Sequence, residues 1–204
     1  MQTRENHTKP SIEAPPQAHP EKAEKAEKAE KTATTHAPPI ASERSTEPQI
    51  GLEPTTRKRV IEALQRLLAD EIALYLKTRN FHWNVEGPEF YQLHKLFEAQ
   101  YEQLDVVMDD VAERIRALGG FAAGSMNEYL KLTKIPEING TTRSDPEGRM
   151  EALLLRDHEA MIREQRTLID TFAEWGDAGT TDFVTGVMEQ HEKMAWMLRA
   201  LVAR

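Results

Sequence analysis

Apolar positions recur along most of this chain at intervals of three and four residues, the spacing of an amphipathic helix. Val60, Leu64, Leu67, Leu68, Ile72, Leu76 and Phe81 predict a first long helix over 55–85, with Thr55 or Thr56 as N-cap. Glu86-Gly87-Pro88 is a turn signal. From Pro88 a second period runs to Leu118 without internal proline or glycine and stops at Gly119-Gly120. Glycine takes positive φ without a Cβ penalty and so commonly follows a helix end. Residues 121–144 form a long connection in which Asn127 to Leu132 predicts a short helix. Ser144-Asp145-Pro146-Glu147 reads as the start of a third long helix, with Ser144 and Glu147 as a capping box and proline in the first turn. It runs to about Trp175 with Leu153, Leu154, Met161, Ile162, Leu168, Ile169 and Phe172 inward. Gly176-Asp177-Ala178-Gly179 breaks the pattern, and a fourth helix covers 181–202 with Phe183, Val187, Met188, Met194, Met197, Leu198 and Leu201 inward. Four long amphipathic helices predict an all-α four-helix bundle, and the long middle connection fits a crossover between bundle ends.

The first fifty residues break from this pattern. They hold seven of the eleven prolines and few large apolar side chains, so they cannot bury enough surface to offset chain entropy. The division expected is a disordered tail over 1–50 and a helical domain over 51–204. The tail contains EKAEKAEKAEK, Glu21 to Lys31, whose Glu-before-Lys i,i+4 pairs support transient helicity only. His7, His19 and His36 are scattered through it and read as solvated. The absence of cysteine excludes disulfides and thiolate metal sites, and the net charge of −8 argues against a generally basic nucleic-acid binder. No apolar run reaches the ~20 residues of a membrane span, and the polar N-terminus carries no secretory signal. A cytoplasmic protein is expected, which leaves the glycosylation-type triplet Asn139-Gly140-Thr141 idle.

The second helix carries a further stripe. With His94 set at zero and about 100° per residue, Asp105, Glu98, Asp109, Glu102 and Glu113 fall within about a quarter turn. Leu104, Val107, Val111, Ile115 and Leu118 lie on the opposite arc. A solvated acidic face is the plain reading of such a stripe. Yet it carries only one basic residue near it, Arg116, rather than the mixed signs that i,i+4 pairing favours, and its groups come as two i,i+4 pairs, His94/Glu98 and Asp109/Glu113. His94 and Asp109 are about 22 Å apart on a straight helix, so one copy cannot close both pairs on one metal. Two antiparallel copies about a two-fold axis near Gln103 and Leu104 can, giving two equivalent shared sites. His82, just before the Gly87-Pro88 break, can return to the His94 end. Imidazole with several carboxylates and no thiolate suits iron better than structural zinc.

FHWNVEG (81–87), LHKLFE (93–98) and DxxAERIxxLGG (109–120) together resemble the signature of the Dps family, ferritin-like miniferritins named as DNA-binding proteins from starved cells. The resemblance covers about Arg57 to Leu201. It implies a ferritin-like four-helix bundle that assembles into a hollow dodecamer, with ferroxidase centres shared across a dimer interface. His82, His94 and Glu98 would come from one subunit, Asp109 and Glu113 from its mate, and these five would be both the metal ligands and the catalytic residues. Glu98 departs from the aspartate common in the family. Trp83 matches the family tryptophan beside the centre, although a core aromatic at a helix end reads as well. His158, between Asp157 and Glu159, reads as a paired, partly exposed histidine. Glu174, Asp177 and Asp182 cluster where the family has acidic pores for iron entry.

The implied function is oxidation of Fe(II), with hydrogen peroxide as oxidant, and storage of ferric mineral in the cage, protecting DNA under stress. The implied partners are further copies of the chain, iron and peroxide, and non-specific DNA, with a nucleoid association where DNA is held. The tail, with seven Lys or Arg against eight Glu, supports DNA contact only weakly. Avidity of many tails and a solubilising spacer both remain open. Two other readings are a DNA-compacting structural protein with an incidental metal site and a shell with a purely structural metal. A ferritin or bacterioferritin with its site inside one bundle needs Glu-x-x-His on a bundle helix, which this chain lacks.

Overall fold

The computed structural model describes residues 47–138 and 149–203. Most of the tail, the glycosylation-type triplet and the proposed Ser144–Glu147 capping box lie outside the described residues. Among the described residues there are five helices: α1 (Pro54–Asn84), α2 (Phe90–Ala117), the short α3 (Met126–Leu132), α4 (Met150–Glu174) and α5 (Ala178–Val202). α1 packs along α2 and α4 along α5, and the two hairpins meet through α1 with α4 and α2 with α5. α1 and α5 therefore face each other across the bundle diagonal. α3 lies on the outer side of α1.

Local chemistry sets the ends. α2 closes on a Schellman motif: Gly119 N–H donates to Arg116 O and Gly120 N–H to Ile115 O, with Gly119 at φ 86°. α4 ends in the same way, through Gly176 to Ala173 O and Asp177 to Phe172 O. α3 has a complete capping box between Ser125 and Glu128. α4 is described from Met150, with Arg149 as N-cap and no side-chain cap bond. α5 opens three residues early because Asp177 caps it, accepting from Thr180 N at 3.0 Å and Thr180 Oγ1 at 2.6 Å. Arg114 also donates to Asp177, at 3.2 Å. That carboxylate is engaged inside the subunit, while Glu174 and Asp182 are exposed.

The core matches the predicted stripes: Leu64, Phe81, Phe97, Leu104, Leu154, Phe172 and Leu198 are fully buried. Each such side chain contributes about 1.5–3 kcal/mol on removal from water. Leu76 and Met197 depart from expectation and are partly exposed. Leu76 faces a groove shared with Met126, Tyr129 and Leu130 on α3, rather than the bundle centre. His158 is also corrected: it is fully buried, and its partner is His191 on α5 rather than either flanking carboxylate.

Candidate metal centre

His82 ends α1 and His94 lies in the second turn of α2, so the five-residue turn between the helices folds one against the other. Their rings stack with centroids 3.8 Å apart and planes at 22°. Each imidazole is locked by the other residue's backbone: His82 Nδ1 is 2.9 Å from His94 O, and His94 Nδ1 is 2.9 Å from His82 O. A carbonyl oxygen can only accept, so both Nδ1 atoms carry their protons. Both Nε2 atoms are then left as lone-pair donors. A backbone carbonyl holding the far ring nitrogen is how proteins orient metal-binding histidines and raise their basicity. The pair is prepared for a cation before one arrives.

The surroundings hold that geometry. Phe90 stacks on His94 at 5.0 Å, and Tyr101 sets its edge to His82 at 5.1 Å. Arg79 lies 4.7 Å from the Tyr101 ring centre and hydrogen-bonds the Tyr75 hydroxyl. Trp83 is 64% exposed, so it is not a core aromatic; the Arg79 guanidinium lies 5.7 Å from its ring.

Glu98 stands one helical turn beyond His94 and pairs with Lys95. The Lys95 ammonium, with smaller contributions from His82 and His94, holds the Glu98 carboxyl below the usual carboxylate range. Glu98 therefore presents a charged oxygen donor beside two imidazoles, and a metal entering there competes with Lys95.

Asp109 and Glu113 lie further along α2, both exposed and without an ion pair among the described residues. They do not meet the histidines within one subunit. Among the described residues no three His, Asp or Glu groups converge into a metal-holding cluster. One chain thus brings His82 and His94 together, with Glu98 one turn along α2 and paired to Lys95, and leaves Asp109 and Glu113 exposed about four helical turns from His94. The sequence reading did not single out Phe90, Lys95, Tyr101 or Arg79. It also missed Glu71, Gln165 and His191, polar residues at inward helical phase whose position among apolar neighbours was the available signal.

The chain matches the family model described as Ferritin-like domain over residues 61–204. It is 40% identical to DNA protection during starvation protein 2 of Bacillus anthracis over 146 residues, 71% of this chain and 97% of that protein. An uncharacterised low-temperature-induced protein of Nostoc sp. is 45% identical over 154 residues, 75% of this chain and 85% of that one. The crystal structure of the DPS protein of Vibrio cholerae O1, described as one of the ferritin-like diiron-carboxylate proteins, superposes with a TM-score of 0.70 at 33% identity, covering 76% of this chain and 96% of that chain. On the fold, the histidine pair beside an acidic helix face, and relatives matched over nearly their whole length, the chain belongs to the Dps family of ferritin-like proteins.

Proposed function

We propose that this protein oxidises Fe(II) at sites shared between two antiparallel copies, with hydrogen peroxide as electron acceptor, and stores the ferric product in a cage of twelve subunits. The observation that carries this reading is the reciprocal histidine clamp, which leaves two imidazole lone pairs beside the Glu98 carboxylate. Asp109 and Glu113, exposed and without an ion pair among the described residues, are the carboxylates that a second copy would bring to complete the site. Two Fe(II) ions each give up one electron, the O–O bond of peroxide breaks, and two protons are taken up from solution so that its oxygens leave as two waters. Carboxylates are hard oxygen donors and favour Fe(III) over Fe(II), which eases the oxidation. Consuming both reactants together protects DNA from radical damage, in keeping with the relatives named for DNA protection during starvation.

The test is anaerobic Fe(II) loading followed by peroxide, on the wild type and on His94→Ala and Asp109→Ala. Each single variant loses rapid oxidation by more than about tenfold, the lower end of what losing even an outer-shell metal partner costs. When the two are dissociated, mixed in equal amounts and reassembled, half the dimers are mixed and each regains one intact site. Activity then returns to about one quarter of wild type. A mixture no more active than its parents rules out a shared site, and unchanged oxidation in both single variants rules out the ligand assignment.

A further inference from the structure

A second polar cluster lies in the middle of the bundle, away from the histidine clamp. Glu71 on α1, His191 on α5 and His158 on α4 are all fully buried. His191 Nε2 is 2.9 Å from Glu71 Oε1, which bridges the α1–α5 diagonal. The other ring nitrogen of His191, Nδ1, is 2.9 Å from His158 Nδ1. Gln165 Nε2 approaches Glu71 Oε1 at 3.5 Å. Three atoms of this array have no hydrogen-bond partner among the described residues: Glu71 Oε2, Gln165 Oε1 and His158 Nε2. Unpaired buried polar atoms destabilise a core, so this array is costly to hold among its apolar neighbours.

The protons are constrained by the contacts. The Glu71 carboxylate accepts, so His191 Nε2 carries a proton. Only one proton fits between the two Nδ1 atoms, whether it sits on His191 or on His158. With it on His158 and His158 Nε2 bare, both imidazoles are neutral; once His158 Nε2 is also protonated, one imidazolium balances the one carboxylate. A further proton on the facing nitrogen sets two N–H groups against each other and two cations beside one carboxylate in the core.

We propose that Glu71, His191 and His158 form an acid-sensitive latch across the bundle, closed by one proton shared between the two imidazoles and opened by the arrival of a second. Opening separates α5 from α4 and α1. It reaches α2 through Gln100, whose side chain donates to the Met194 carbonyl one turn along α5, at 3.3 Å.

The other buried titratable groups of these helices are engaged elsewhere. On α1, Arg57 binds Glu47 and Pro48 O, Asp70 accepts from Thr133 and Lys134, Lys77 pairs with Asp157 of α4, and His82 is held by the His94 carbonyl. On α4, Glu151 pairs with Arg149; on α2 the buried polar side chain is the neutral Gln100, and the part-buried Arg114 binds Asp177 and Thr180 at the start of α5. Burial, and then the neighbouring His191, push the His158 imidazole well below its usual range. The unfolded chain therefore takes up a proton before the folded one does. Stability is complete above the ordinary histidine value of about 6.5 and falls as pH drops through it. Asp70, whose carboxyl burial raises, acts with the opposite sign and cannot mimic this.

The test uses the assembled full chain, with thermal unfolding followed between pH 7.5 and 5.0 for the wild type, His158→Gln and His158→Leu. In the wild type the unfolding constant rises by up to about tenfold per pH unit below pH 6.5, one proton's worth. In either variant that folds, this component of the slope disappears, whatever the absolute stability. Calorimetry at pH 6 in two buffers of different ionisation enthalpy gives the proton uptake on unfolding directly, larger in the wild type by about three quarters of a proton. Amide exchange corrected for its intrinsic pH dependence shows α4 and α5 near His158 and His191 opening at pH 5.5 in the wild type. Should neither variant fold, an uptake no greater than the exposed histidines supply, or exchange at α4 and α5 that does not change with pH, overturns the proposal. An identical slope and uptake in wild type and variants does so as well.

Discussion

The Lys77–Asp157 pair offers the sharpest test of how the two hairpins are joined. It spans the α1–α4 seam with side chains 4% and 2% exposed. Removing one partner leaves a charge in the core without water, which costs about 3–5 kcal/mol. For Lys77→Met the lower end applies, because Arg156 Nε stays 3.4 Å from Asp157 and is itself 58% exposed. About 3 kcal/mol in a domain of this size lowers the midpoint by roughly 6–12 °C. Replacing both residues, as Lys77→Met with Asp157→Leu, removes the stranded charge together with its counter-charge and returns stability to within about 1 kcal/mol of wild type, or above it. Urea and thermal unfolding of the wild type, both singles and the double give the coupling directly. A loss below about 1 kcal/mol in Lys77→Met is what an exposed pair shows, and it would mean that water reaches the seam. A double variant as unstable as the worse single would mean that the pair sets the packing of α1 on α4 rather than only balancing charge.

Two further outcomes follow from particular side chains. Gly119→Ala places a residue with a Cβ at φ 86° and sets that Cβ 2.7 Å from Pro48 Cδ, whereas Gly176→Ala meets only the left-handed backbone at φ 77° with open space around it. Both lose about 1–2 kcal/mol, and Gly119→Ala loses measurably more; equal midpoints would show that Pro48 gives way freely. Lys95→Met releases Glu98 from the group that chiefly holds its carboxyl low. Its protonation then begins at higher pH, so the acid limb of Fe(II) binding, read by anaerobic titration, shifts upward; an unmoved limb means that Glu98 does not bind the metal.

Much of this protein follows from one-dimensional pattern. The 3.6-residue period, the Gly119-Gly120 and Gly176 stops and the absence of proline inside the helices specify four long helices, because helix ends and amphipathic faces are local properties. The spacing of His94, Glu98, Asp109 and Glu113 was visible for the same reason: residues on one helix have fixed angular positions. Tertiary structure decided what lies between helices. That His82 and His94 hold each other's Nδ1 protons depends on the path of the turn at Gly87, which composition does not encode. The burial of His158 and its pairing with His191 depend on how α4 and α5 mesh. Local sequence pointed instead to its charged neighbours, which are adjacent in the chain but project from other sides of the helix. Asp177 looked like part of an acidic cluster until the fold placed Thr180 and Arg114 around it, since a capping carboxylate and a solvent-facing one differ only in what packs beside them.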